Sequence, residues 1–333
     1  MGCFQKRRDV PAQTALFQIT NVIRGGGAAV TVERISGIMS SFLSYLINGI
    51  SLGSVYAIIA LGYTMVYGIA RMLNFAHGDI IMVGGYTVFV LYSGLGVSPV
   101  MAILASIVVC TVLGVSIERI AYRPLRGASS LSVLITAIGV SYFLQNAALL
   151  IFGADTKSFK NVVNFVPSIS LMGGSVNISG VTIITILSGL IILVVLTAFI
   201  QKTKTGQAML AVSEDKGAAT LMGINVNKTI AITFAIGSAL AAVAGVLLCS
   251  AYPVLSPTTG AMPGIKAFVA AVFGGIGSVP GAMIGGILLG VIENLSKAYI
   301  STQLADAIVF AVLIVVLLVK PTGLMGKKIQ EKV

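Results

Sequence analysis

The chain has 333 residues, of which 57% are hydrophobic and 9% charged, with 21 basic and 10 acidic side chains and a formal net charge of +11. An ordinary globular chain is roughly 25% charged, so so few charges cannot cover a soluble protein of this size, and the mean hydropathy is +1.03. The composition defines an integral membrane protein and excludes a soluble enzyme, a nucleic-acid binder and a disordered chain.

Residues 1–38 are polar and Gly-rich and lack the apolar core of a signal peptide. They are expected to be disordered. Residues 1–40 form an N-terminal extension, or an upstream over-extension of the reading frame with Met39 as the alternative start. The cysteines are Cys3, Cys110 and Cys249, an odd count without a CxxC pair. That suggests neither a disulfide framework nor a metal knuckle. Cys110 and Cys249 lie in apolar runs and read as small core residues.

A hydrocarbon layer about 30 Å thick needs about 20 helical residues to cross. Six uninterrupted spans meet that length: 42–62, 98–118, 131–152, 181–200, 228–250 and 303–319. Two longer regions are broken. Tyr63–Tyr92 is interrupted over Arg71–Asp79, and Gly264–Asn294 over Gly274–Gly281. Each predicts a short helix, a turn and a second helix. The expected fold is an all-α integral membrane protein of about eight transmembrane helices plus two broken or re-entrant half-helices. Its membrane domain spans 41–320, and 321–333 form a basic tail.

Basic residues set the orientation. They gather at 119–126 (Arg119, Arg123, Arg126), at 202–228 (Lys202, Lys204, Lys216, Lys228), in the tail (Lys320, Lys327, Lys328, Lys332) and in the N-terminal segment (Lys6, Arg7, Arg8, Arg24, Arg34). These segments are expected in the cytoplasm, with both termini inside provided that each broken region crosses twice or re-enters. Segment 153–180, with only Lys157 and Lys160, is expected outside. The excess charge is then a topology signal, not a nucleic-acid surface. Gly237, Ala241 and Gly245, and Gly281, Gly285 and Gly286, predict close helix packing.

Discontinuous helices in the two halves of a membrane protein point to a transport pathway. The first break holds Asn74, His77, Gly78 and Asp79, with Asp79 placed to cap a helix from Ile80. The second holds Gly274, Gly275, Gly277, Ser278 and Pro280, with Ser278 placed to cap a helix from Val279. A buried helix N-terminus presents free N–H groups and partial positive charge, which suits a carboxylate. The competing reading is a pair of caps at the membrane surface. Glu293 is a further candidate as an acid at membrane depth, or a plain i,i+4 partner of Lys297. His77, the only histidine, cannot form a multi-His metal site, and no metal or cofactor is expected.

Segment 201–228 is the longest polar insertion between spans on the basic side. Ser213 as N-cap, Glu214 and Asp215 in the first turn and Gly223 as the stop predict a helix over 214–222 that exposes Leu221 and Met222. This reads as a docking element for a cytoplasmic partner; an interfacial helix on lipid headgroups is the alternative. The sequence contains no GxxxxGK[ST], GxSG or HExxH motif, so nucleotide hydrolysis and protease chemistry have no carrier. Few acids lie deep enough to couple protons or sodium. A stand-alone secondary transporter and an intramembrane enzyme are the weaker readings, and energy from a partner is the stronger one.

The blocks NGISLGSVYAIIALGYTMVYGIARMLNFAHGDIIMVGGY (48–86), TKTGQAMLAVSEDKGAATLMGIN (203–225) and GIKAFVAAVFGGIGSVPGAMIGGILLGVIEN (264–294) resemble the LivH-type permease of branched-chain amino-acid ABC importers. The resemblance covers about residues 40–320. It implies the ABC importer permease fold in a prokaryotic inner membrane, surrounded by lipid. It also implies a solute of the leucine, isoleucine and valine class and no chemistry on it. Related permeases carry urea or short amides, so that solute class stays open. The implied partners are a second, homologous LivM-like permease, two cytoplasmic ABC ATPase subunits and an extracytoplasmic solute-binding protein, with no nucleic acid. The family's coupling motif, EAA then three residues and Gly, is matched in part by Gly217, Ala218, Ala219 and Gly223. Gly217 stands where Glu is expected, and Glu214 and Asp215 lie a few positions away.

Overall fold

The structure, a computed structural model, describes residues 28–163, 166–171 and 174–326. The expectations for residues 1–27 and for Lys327, Lys328 and Lys332 fall outside the described residues. The described chain is almost entirely helical. Helix α1 spans Ala28–Ala70, α2 His77–Val88, α3 Pro99–Ile117, α4 Ser130–Phe152 and α5 Gly180–Lys202. The short α6 (Lys204–Glu214) and α7 (Lys216–Leu221) precede α8 (Val226–Ala251), α9 (Ala261–Gly274), α10 (Val279–Tyr299) and α11 (Ala305–Val319). A π turn over Phe89–Gly94 extends α2, and another over Glu118–Tyr122 extends α3. Among the described residues, six helices are long and apolar enough to cross a membrane, and α9 and α11 are shorter apolar helices.

Local chemistry sets most helix starts. The side chains of Ser129, Ser179, Thr203, Asn225 and Ser278 each accept a hydrogen bond from a backbone N–H two or three residues into the following helix. Two elements differ from expectation. First, α1 is continuous to Ala70, so 63–70 is its last part and not a separate half-helix. It also begins at Ala28, well before residue 39, so the expected disorder does not extend through 28–38. Tertiary packing explains the continuity. Gly62 makes room for the His77 ring, and every residue from Ser51 to Val66 is buried. Second, α2 starts at His77 behind Ala76, without a side-chain cap. Asp79 lies in its first turn and does not cap it.

Helix α1 is the axis of the bundle. A Cβ on Gly53 would press on the backbone of Ile287, and one on Gly286 on that of Ala57. Backbones of α1 and α10 thus approach along a glycine seam. Gly237 of α8 faces Gly62 and Val66, Gly245 faces Ile81 of α2, and Gly285 faces Ala270 of α9. The predicted small-residue stripes are therefore packing surfaces. Cys110 and Cys249 are free, buried core residues. The outer helices α3, α4, α5 and α11 expose Val108, Val112, Phe143, Leu150, Val194, Val195 and Leu318, as surfaces facing hydrocarbon should.

Contacts at the helix ends separate two poles. One pole joins Arg71 to Ser213, Lys216 to Ala70, Arg126 to Asn227 and Met325 to Gly274. It carries the basic loops. The other joins Tyr45 to Tyr299 by edge-on rings. There too the two-residue strand β1 (Lys157–Ser158) pairs with β4 (Val254–Leu255), while β2 (Ile169–Leu171) pairs with β3 (Val176–Ile178) within the 153–180 segment. Residue 45 and residue 325 therefore lie at opposite poles.

Candidate functional site

The first break is a short unwound stretch from Arg71 to Ala76. Arg71 has φ 59°, uncommon for a residue with a side chain. Its amide bonds Tyr67 O (2.9 Å) and its guanidinium bonds Ser213 O (3.1 Å). Buried Asn74 accepts through Oδ1 from the Tyr122 hydroxyl at 2.9 Å. His77 is buried, edge-on to Tyr63 with ring centroids 4.7 Å apart, and its Nε2 has no hydrogen-bond partner. Gly78 packs on the backbone of Gly260 and Gly264 at the start of α9. Asp79 is buried and accepts through Oδ1 from Gln145 Nε2 of α4 at 2.9 Å.

The second break turns on Gly275 (φ 105°) and Gly277 (φ 93°), conformations that glycine adopts without strain. Ser278 caps α10 by accepting from Gly281 N at 3.2 Å, and Pro280 sits in the first turn. A strap from the C-terminal side covers the end of α9. Leu324 N donates to Phe273 O and Met325 N to Gly274 O, both at 2.9 Å.

The broken helices differ from expectation in one chemical respect. At α10, Gly281 N bonds Ser278 Oγ, Ala282 N bonds Ser278 O, and Pro280 has no N–H. At α2, His77 N bonds Asn74 O, while Asp79 N and Ile80 N bond Ala76 O. Most donors at both N-termini are already satisfied by the chain itself, so neither presents a row of free N–H groups. Local turn chemistry has met the need that a substrate carboxylate was expected to meet.

A cavity of about 520 Å³ opens between α1, α5, α6 and the start of α10, within the usual size of a small-molecule site. Gly277, Ser278 and Pro280 line it together with Ser213 and Glu214, and Arg71 lies at its edge. Met65, Ile69, Ile200, Met209 and Ile276 form its apolar walls. The second break and the polar 201–228 segment are thus brought together. Asn74, His77, Gly78 and Asp79 do not line this cavity.

The 201–228 segment holds two helices where one was expected. Ser213 lies inside α6 and donates to Leu210 O, so it caps nothing. Asp215, in extended backbone (φ −152°, ψ 116°), is the N-cap of α7 and accepts from Gly217 N and Ala218 N at 2.7 and 2.9 Å. Gly223, at φ +81°, ends the turn after α7. Ala219 is buried, whereas Leu221 and Met222 are 90% and 82% exposed. Lys216 Nζ donates to Ala70 O at 3.1 Å, at the end of α1. Burial, then the charges of Arg126 and Arg71, lower its pKa below the usual lysine range. With Arg71 bonded to Ser213 O, this makes a reciprocal clasp between the segment and the first break.

Glu293 lies apart. It stands 15 residues beyond Ser278 on one helix, about 22 Å away at 1.5 Å per residue, towards the pole opposite the second break. It does form the i,i+4 pair with Lys297 (2.5 Å), but it is also buried and bonded to Lys266 Nζ and to the Tyr56 hydroxyl, each at 2.9 Å. Lys266 reaches Asp306 as well, at 2.6 Å. The cluster ties α1, α9, α10 and α11 together. Lys266 and Gln145 are the residues that sequence reasoning did not name, while Arg71 entered it only as the start of the first break and Lys216 only as a topology charge. Lys266 and Gln145 carried a usable signal, a polar side chain inside an apolar run.

A multi-pass helical bundle with two interrupted helices, a cavity at the second break and a capped, exposed loop at one pole is the architecture of a membrane permease subunit. The chain belongs to the family described as branched-chain amino acid transport system, permease component, whose model matches residues 45–317. It is 48% identical over 302 residues to the high-affinity branched-chain amino acid transport system permease protein BraD of Pseudomonas aeruginosa, covering 88% of this chain and 98% of that one. It is 46% identical over 308 residues to the corresponding permease protein LivH of Escherichia coli (strain K12), with the same coverage of 88% and 98%.

Proposed function

We propose that the chain is the permease subunit of an ATP-driven importer of leucine, isoleucine and valine across a prokaryotic inner membrane. The observation that carries this reading is 46–48% sequence identity to high-affinity branched-chain permeases along nearly their whole length. The apolar walls of the cavity suit a branched aliphatic side chain. The partners on this reading are a second homologous permease, two ATPase subunits at the basic pole and a solute-binding protein at the other.

The basic pole then faces the cytoplasm. The start of α1 faces outside and Lys320 inside, so the two ends of the described chain fall on opposite sides. Closure of the ATPase subunits moves α6 and α7. The clasp through Arg71 and Lys216 passes that motion to the first break, and Ser213 and Glu214 pass it to the cavity wall. Leu221 and Met222 supply the exposed contact, while Ala219 anchors α7 to its own bundle. Uptake of labelled leucine by cells carrying the complete transporter as their sole importer tests the assignment. Excess isoleucine and valine should abolish that uptake, and urea and acetamide should leave it intact. Competition by urea or acetamide, with none by valine, would contradict it.

A further inference from the structure

A second cavity, of about 440 Å³, lies at the same pole between the end of α3 and the start of α8. Its floor is apolar, with Val115 from α3 and Ile232 and Ala235 from α8. Its rim carries three exposed cations, Arg119, Arg123 and Lys228. Among the described residues none of the three side chains has an ion-pair partner. The one acid in the lining, Glu118, is buried and paired with Arg126. The rim therefore keeps its positive charge.

We propose that this cavity binds an anionic phospholipid. The headgroup phosphate lies among Arg119, Arg123 and Lys228, and an acyl chain runs over Val115, Ile232 and Ala235. Basic pockets between membrane helices hold anionic headgroups by charge. The apolar floor separates this occupant from the alternatives. Free phosphate has no use for it, and an acidic protein segment stops at the headgroup level. The site adjoins Asn225, the N-cap of α8. A bound lipid thus bridges the end of α3 to the point where the cytoplasmic segment rejoins the bundle.

The test uses the complete transporter in nanodiscs of phosphatidylcholine mixed with phosphatidylglycerol, with retained lipids counted by native mass spectrometry. Wild type should retain phosphatidylglycerol selectively. The variant R119Q/R123Q/K228Q should lose that selectivity, about fivefold for each charge removed. R119K/R123K should keep it, and so should K202Q/K204Q, which removes charge elsewhere at the same pole. Equal retention by the triple variant would overturn the proposal. So would equal loss in K202Q/K204Q, since a diffuse field would then suffice. Displacement of the lipid by millimolar inorganic phosphate would assign the rim to a free anion. A triple variant that keeps its lipid but sheds the ATPase subunits would make the cavity a protein contact; either result overturns the lipid site.

Discussion

Lys266 illustrates how single residues hold this bundle. Its ammonium bonds both Glu293 and Asp306, so replacing it leaves half-exposed Asp306 without its ion pair and buried Glu293 held only by Lys297 and the Tyr56 hydroxyl. Removing one member of a buried pair costs about 3–5 kcal/mol when the other charge is left uncompensated, and less here because Glu293 keeps Lys297 and Tyr56. Lys266→Met should therefore lower the thermal midpoint of the detergent-solubilised protein markedly, and Lys266→Arg should restore most of it. An unchanged midpoint in Lys266→Met would mean that the cluster contributes nothing to packing. Residue-scale roles were only partly legible in the sequence. Glu293 stood out as an acid at depth, but its partner 27 positions earlier is a product of the fold. Ser213 and Asp215 are two residues apart and both are good caps. Only the backbone decides between them, by kinking at Asp215. Asp215→Ala should accordingly cost about 1 kcal/mol of local helix stability, read as faster amide exchange in α7. Ser213→Ala should be silent, because the bond from Arg71 goes to its carbonyl.

Among elements, the glycine seam between α1 and α10 is a close backbone contact. A Cβ on Gly53 would stand 2.6 Å from Ile287 Cα, whereas one on Gly139 of α4 meets nothing within 4 Å. Overpacking of this kind costs about 1–3 kcal/mol. Gly53→Ala should destabilise the bundle by that amount in a thermal or proteolytic assay, with Gly139→Ala as the neutral control. The helices were readable because a lipid-embedded backbone must satisfy its own hydrogen bonds, so an apolar run of sufficient length has one solution. The second break was readable for the same local reason, since glycines with Ser278 and Pro280 prescribe a turn and a start. The first break was readable in its start at Arg71, but its end was not: the next helix begins at His77, whose ring packs against Gly62, and not after Asp79. The exposed end of α7 makes its own prediction. Met222→Asp should leave the chain inserted and folded while weakening ATPase association at least about tenfold, as loss of an interface anchor does. Ala219→Asp should instead compromise folding, because Ala219 is buried. Co-purification of the ATPase subunits separates the two outcomes.

At the scale of the whole molecule, the two poles organise everything else. The basic pole gathers the unwound stretch after α1, the capped loop, the second break and the strap formed by residues 324–325. The opposite pole holds the ion cluster and the short strands. Charge in the loops made this polarity visible in the sequence. The pole at which α1 begins required the contacts. On the proposed reading the parts that move lie at the basic pole, and the energy comes from the partner ATPase subunits. The decisive measurement is leucine accumulation in proteoliposomes containing either this chain alone or the complete transporter with its binding protein and ATP. Accumulation against the gradient should occur only in the complete assembly and should stop when ATP is withheld. Concentrative uptake by the chain alone, driven by an ion gradient, would contradict the account.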